Sequence, residues 1–366
     1  MTLEEIKLLS ELSIMIPTFN RPLDLERVIE YWRETPVTVH ILDGSEKPLF
    51  AAGALSGSPT ITYHHFPKAK DELALINGFK RVVFGLQLPK TQFSAVGADD
   101  DFYTISGLIE SLKVLKSDEK IDAVAGRVLT YERKRKLYWH HKYVPRFNRT
   151  DLETDSIENK LSSGSSWFLH AVCRTEYWQK FLMVCYEEKN FTKANFYAHE
   201  WMLFILAKAM FRTKYINIIQ DVRQETVTGK NKGPEVPWEE FICDERNVSH
   251  IDEIIKQLAK GFNEVTPANE HSKNLELARE QMRLEQEKAL RPKAIKQKSR
   301  TFKSVLGNIL FFFLPGLNLF SDRPRRLKYL WRIPKYQYSP EQQKEVEEIE
   351  KLLLKPREEL RLRANI

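Results

Sequence analysis

The sequence predicts an α/β fold in which a mostly parallel sheet is covered by helices on both faces and followed by a helical C-terminal extension. Three observations predict it. Short apolar runs alternate with helix-periodic segments from Leu12 to Leu129. Polar clusters follow several of these runs directly, as expected where strands end on one edge of a parallel sheet. Beyond residue 235 the composition shifts to charged helical segments.

Leu12 to Pro17 is an apolar run closed by proline and reads as a buried strand. Leu25, Val28, Ile29 and Trp32 recur at i, i+3, i+4 and i+7, on one face of a helix. Val37 to Leu42 reads as a second strand, ended by Asp43-Gly44-Ser45, and Thr60 to Phe66 as a third. Leu75, Phe79, Val82, Val83 and Leu86 mark another amphipathic helix. Gln92 to Gly97 is the fourth strand, followed by Asp99-Asp100-Asp101, and Ile105, Leu108, Ile109 and Leu112 open the next helix. Asp122 to Leu129 is a fifth strand, after which the alternation breaks down. Residues 145–166 read as a long loop, Arg174 to Cys185 and Glu200 to Phe211 as helices, and Lys214 to Ile219 as a strand. Asn274 to Leu290 and Pro340 to Arg363 read as charged helices. The implied division is residues 1–235 as the α/β domain and 236–366 as the extension, with an apolar segment at 304–320.

The bulk numbers narrow the class. The 366 residues carry 57 basic and 50 acidic side chains, a formal charge of +7 that favours anionic partners without choosing among them. A hydrophobic content of 42 % suits a globular core. Three cysteines with no Cys-x-x-Cys pair argue against a disulfide framework or a thiolate zinc site and for a reducing, cytoplasmic setting. The first ten residues lack the basic-then-apolar layout of a signal peptide.

The aspartate run carries the sharpest chemistry. Hard divalent cations, Mg²⁺ or Mn²⁺, take oxygen ligands, and a cation held by one or two carboxylates still binds phosphate oxygens. Asp99, Asp100 and Asp101 are therefore candidate metal ligands, although an acidic turn at a helix start would use the same residues. Asp43 reads either as an Asp-Gly turn or as an acceptor for a nucleobase or ribose.

Four segments together resemble the family 2 glycosyltransferases, which have the GT-A fold. Ser13-Ile14-Met15-Ile16-Pro17-Thr18-Phe19-Asn20-Arg21-Pro22 resembles their opening strand, and Ile41-Leu42-Asp43-Gly44-Ser45 their second-strand motif. Ala98-Asp99-Asp100-Asp101-Phe102 resembles their DxD-type motif, and Ala198-His199-Glu200-Trp201-Met202-Leu203 the helix start that supplies the base. The resemblance implies that Thr18, Asn20, Arg21, Asp43, Asp99 and Asp100 line the nucleotide pocket. It also implies that Asp99 to Asp101 hold a divalent cation and the sugar-diphosphate, and that the catalytic base of an inverting transfer is Glu200 or the adjacent His199, which can itself accept a proton near neutral pH. Asn77-Gly78 matches the family's Arg-Asn-x-Gly helix only without its Arg.

Trp139, His140, His141 and Trp167 read either as an acceptor surface or as core aromatics with a solvated His pair. The 304–338 stretch joins an apolar segment to basic and aromatic residues, which suits peripheral contact with the inner face of an anionic membrane or packing on the rest of the chain. The basic stretches bring no stacking motif, which argues against nucleic acid as a partner. The implied partners are a nucleotide-sugar donor and a glycan or lipid-linked acceptor. Two other readings use the same features: a non-catalytic glycan- or partner-binding protein, and a metal-dependent nucleotidyltransferase.

Overall fold

A computed structural model of the chain describes residues 1–50, 55, 58–67, 74–88, 91–132, 137–140, 156–162, 170–186, 196–224, 238–290 and 339–355. Its frame is one sheet. Strands β1 (Leu12–Thr18), β2 (Thr38–Asp43), β3 (Ile61–His65) and β4 (Phe93–Val96) are joined by β5 (Asp101–Tyr103), β6 (Ala123–Glu132), β7 (Leu137–His140), β8 (Val172–Arg174) and β9 (Thr213–Gln224). The order is β3-β2-β1-β4-β8-β6-β9-β5, with β7 also pairing β6. The parallel arrangement expected from the alternation holds for β3-β2-β1-β4 and for β6 with β9, whereas β8, β7 and β5 pair antiparallel. Parallel neighbours need a long crossover. Only Gly97 to Asp100 separate β4 from β5, and β5 pairs at the far edge with β9 instead.

The period-two alternation of β1 divides the core between the two faces of the sheet. Ile14 and Ile16 pack on one side with Leu25, Val28, Ile29 and Trp32 of α2 (Pro22–Trp32) and Leu108 and Leu112. Met15 packs on the other with Leu42 and Val82. All four residues of the α2 stripe are buried, and each aliphatic one contributes roughly 1.5–3 kcal/mol by leaving water.

Helices α1 (Leu3–Leu9), α3 (Ala74–Gln87), α4 (Ile105–Ser117), α5 (Ile157–Ser162), α6 (Thr175–Tyr186) and α7 (Phe196–Met210) complete the layers. Helix α5 corrects the loop expected over 145–166. Ile157, Lys160 and Leu161 fall at i, i+3 and i+4 and are buried, and the Lys160 ammonium donates to the Ala209 carbonyl at 3.0 Å. Strand β9 runs five residues past the expected end at Ile219, to Gln224.

In the C-terminal part, α8 (Trp238–Phe241), α9 (Val248–Asn263) and α10 (His271–Leu290) join the Met15 side of the core through Ile254, Leu258, Phe262, Ala278 and Met282. Helix α11 (Pro340–Leu354) instead joins the Ile14 side through Ile349 and Leu353. It stops before the expected Arg363. Lys355 is extended, as a residue preceding a proline favours. The boundary at 235, the 304–320 segment and the basic stretch to 338 lie outside the described residues. Among the described residues the cysteines are free thiols, and no helix is long and apolar enough to cross a membrane.

Candidate active site

The carboxyl ends of β1, β2 and β4 bring three of the expected polar clusters together. Thr18 is the register partner of Asp43, and its hydroxyl donates to Asp99 Oδ2 at 2.7 Å. Asn20 sits where the chain leaves β1 for α2, at φ 55. This is the left-handed region, which asparagine tolerates better than most residues. Its amide donates to Ser45 Oγ at 2.8 Å, tying the β1 turn to the β2 turn.

Asp43 is fully buried and engaged on all sides. Oδ1 accepts from the Ser45 amide at 2.8 Å and the Ser45 hydroxyl at 2.6 Å. Oδ2 accepts from the Leu49 amide at 3.0 Å and from the Tyr63 hydroxyl. The Tyr63 phenol is held above its ordinary range by burial first and by Asp43 second. Gly44 leaves room here for the Arg81 side chain. A Cβ at this position would stand 2.6 Å from the Arg81 guanidinium carbon. Arg81 is buried on α3 and donates to the carbonyls of Thr18 and Leu42, the latter at 2.7 Å.

Asp99 and Asp100 share one counter-ion. Arg21 reaches Asp99 Oδ1 at 2.5 Å through one terminal nitrogen and Asp100 Oδ2 at 2.6 Å through the other. A guanidinium fork suits such a bridge. Even so, burial and the neighbouring Asp100 push Asp99 up to about 7, against the opposing pull of Arg21.

Asp101 faces a different set of residues. Strand β5 pairs with β9 so that Asp101 lies opposite Arg223 and Tyr103 opposite Asp221. Alternation then places Asp101 and Asp221 diagonally on one face. One ligand atom each from Asp101, His170 and Asp221 lie within 4.8 Å of one another, and all three residues are buried. His170 Nδ1 stands 3.0 Å from Asp221 Oδ2, and Arg223 Nε 3.9 Å from Asp101 Oδ2. Among the described residues, Asp101 Oδ1 and both oxygens of Asp221 make no well-aligned hydrogen bond. Burial pushes Asp221 up to about 8, and burial with the nearby Asp100 and Asp221 charges raises Asp101 well above its usual range. Buried carboxylate oxygens lacking donors, next to an imidazole, fit a divalent cation of the Mn²⁺ type, which accepts both oxygen and nitrogen ligands. Of the expected ligands Asp99, Asp100 and Asp101, only Asp101 belongs to this cluster.

His199 and Glu200 lie in α7, which begins at Phe196, so Glu200 is past the first turn rather than at the helix start. Trp139 and His140 lie in β7, opposite Thr130 and Leu129 of β6. The side chains of these four, and His141 and Trp167 entirely, lie outside the described residues. Sequence reasoning missed Tyr63, Arg81, His170 and Asp221. Asp221 did leave a signal, because aspartate is depleted in strand interiors yet follows Ile218 and Ile219 directly after Gln220.

No protein-family model matches the chain. No curated protein matches its sequence. Among solved structures the chain is similar to S. aureus TarS 1-349, with 12 % identity and a TM-score of 0.44, over 72 % of this chain and 69 % of that chain. It is similar also to TarS 1-349 in complex with UDP-GlcNAc, with 11 % identity and a TM-score of 0.44, over 72 % of this chain and 70 % of that chain.

Proposed function

We propose that this chain is a metal-dependent, inverting glycosyltransferase that moves a sugar from a nucleoside-diphosphate donor to a hydroxyl of a glycan or lipid-linked acceptor. The observation that carries the reading is the pairing of two acidic environments at one sheet edge. Asp99 and Asp100 are bridged by Arg21, while Asp101 and Asp221 stand buried beside His170, three of their oxygens making no well-aligned hydrogen bond among the described residues. A binding surface for neutral glycan does not need buried carboxylates in that state, which is costly without a cation.

In this reading Thr18, Asn20, Arg21, Asp99 and Asp100 line the nucleotide side. Asp43 shapes that side by fixing the 44–49 turn. Arg21 keeps Asp99 and Asp100 from repelling an incoming diphosphate. Asp101, Asp221 and His170 would hold the cation, which when bound supplies positive charge to the departing diphosphate. Glu200, at the position on α7 that the resemblance gives to the base, or His199 beside it, takes the proton of the acceptor hydroxyl. The acceptor oxygen bonds to the anomeric carbon as the bond to the diphosphate breaks, and the nucleoside diphosphate leaves from the opposite face.

The test is release of nucleoside diphosphate from UDP-, GDP- and dTDP-sugars by the purified chain, with and without Mn²⁺. Release with one donor that needs Mn²⁺ is expected, together with its loss in Asp101→Asn. Glu200→Gln should keep the donor-induced rise in melting temperature and lose roughly 10²–10⁴-fold in transfer. The reading fails if no donor raises the melting temperature in the presence of Mn²⁺, or if Asp101→Asn turns over donor as the wild type does.

A further inference from the structure

Helix α4 starts directly after β5, with Thr104 between them. A helix start leaves backbone N–H groups in need of acceptors. Thr104 Oγ1 accepts from the Gly107 amide at 3.1 Å. The amides of Ile105 and Ser106 go to the carboxylate of Glu345, which comes from α11, and Ser106 Oγ donates to the same carboxylate at 2.6 Å. A side chain from the distant end of the described chain thus completes the cap of the helix that follows Asp101.

The same turn of α11 reaches the other strand. Gln342 is buried, and its side-chain amide donates to the Ile219 carbonyl at 3.2 Å. That carbonyl also accepts from the Thr104 hydroxyl, and the Thr104 amide donates to the Gln220 carbonyl at 2.9 Å. Asp221 follows at once. Tyr31 of α2 donates to the Tyr103 carbonyl at 2.7 Å, and Arg27 of α2 donates to the Lys355 carbonyl at 3.3 Å. The anchors of α11 therefore fall on β9 itself, at Ile219, and on the first turn of α4 directly behind β5, at Ile105 and Ser106.

We propose that Glu345 and Gln342 are positioning residues for the Asp101–Asp221 pair, with α11 fixing the spacing of β5 and β9 so that the two carboxylates converge on one cation. The inference rests on the cation reading of that pair and adds to it a control from outside the sheet. Neither residue belongs to the cation cluster. Each acts through the backbone that carries a ligand, as groups behind metal ligands do.

The experiment is an electron-paramagnetic-resonance titration of the full chain with Mn²⁺, alongside amide hydrogen exchange and melting followed by circular dichroism. Glu345→Ala should weaken Mn²⁺ binding roughly tenfold at a temperature where the protein is fully folded. Glu345→Gln, which keeps the shape and one acceptor oxygen, should recover part of it. Exchange should quicken in both variants at the amides of Phe102 to Ser106 and of Gln220 to Val222. Met282→Ala, at the α9–α10 contact, is the control for general destabilisation and should lower the melting temperature without changing Mn²⁺ affinity. The proposal is overturned if Glu345→Ala binds Mn²⁺ as the wild type does, or loses affinity only as Met282→Ala does. Wild-type protein that binds no Mn²⁺ overturns the cation reading instead. The positioning of the two strands is then decided by exchange, and unchanged rates at those amides overturn it.

Discussion

Asp43 and Asp221 are both fully buried carboxylates, yet their surroundings are opposite. Asp43 accepts from two backbone amides and two hydroxyls, and its charge holds the turn between β2 and β3. Among the described residues Asp221 has no well-aligned hydrogen bond at either oxygen, and it lies beside Asp101 and His170, whose Nδ1 stands 3.0 Å from Oδ2. Burial therefore does not separate an acid that holds a turn from one proposed to hold a cation. The supply of donors does, because a buried charge without them is costly unless a cation or proton completes it.

The sharpest way to break this comparison is to neutralise each acid in turn. Asp221→Asn should reduce Mn²⁺-dependent transfer by at least about 10²-fold, as removal of a group that stabilises leaving-group charge does. It should leave the melting temperature of the metal-free protein nearly unchanged, since burial pushes this carboxyl up to about 8 and keeps it largely neutral there. Unchanged transfer would mean that Asp221 is no ligand. Asp43→Ala should do the reverse, lowering stability by about 2–4 kcal/mol because four donors lose their acceptor. Urea unfolding should show the same loss with and without Mn²⁺, and a loss that Mn²⁺ rescues would place Asp43 in the cation site.

A third buried ionisable group sharpens the contrast. His40, on β2, is pushed down to about 4 by burial first and by His64 second. The folded chain therefore keeps the ring neutral where the unfolded chain would protonate it. The stability it contributes is fully present above the unfolded value of 6.5 and is lost as pH falls towards about 4. After discounting for partial solvent screening, the loss should be about 1–2 kcal/mol. His40→Leu should abolish that part of the acid sensitivity, read as the difference between the two unfolding midpoints from pH 7 to pH 4. The smallest effect expected is for Tyr63→Phe, which removes one of the four donors to Asp43. Its cost should be about 0.5–1.5 kcal/mol by urea unfolding, with transfer retained.

The first half of the sheet was legible because its signals are local. Apolar runs closed by Pro17 or by Asp43-Gly44 mark β1 and β2, and the helical stripe of α2 is complete within eleven residues. Asp43 and Asp99 to Asp101 could therefore be placed at one edge. Asp221 and His170 could not, because their approach to Asp101 depends on the pairing of β5 with β9 and on the position of residue 170 beside it. No local periodicity encodes either. Gln220, Asp221 and Arg223 also make the end of β9 look like the end of a strand. Arg81 shows a subtler failure. Arg81 lies four residues after Asn77, its Nε donates to the Asn77 carbonyl at 3.2 Å, and another of its nitrogens reaches the rim of the sheet. Residues four apart share a helix face, so Asn77 and Arg81 both lie beside Gly44, a contact that the spacing alone does not reveal.

The packing of Ile349 and Leu353 among residues of β1 and α2 bears on how the molecule is made. Chains emerge from the ribosome N-terminus first. The opening strands and α2 are synthesised long before the residues that seal their side of the interior, and the first turn of α4 waits equally long for Glu345. A nascent chain interrupted after α10 would carry every acidic group of the proposed cation cluster but not the helix that bridges their two strands. On the proposed function, competence for sugar transfer would then arrive only with α11.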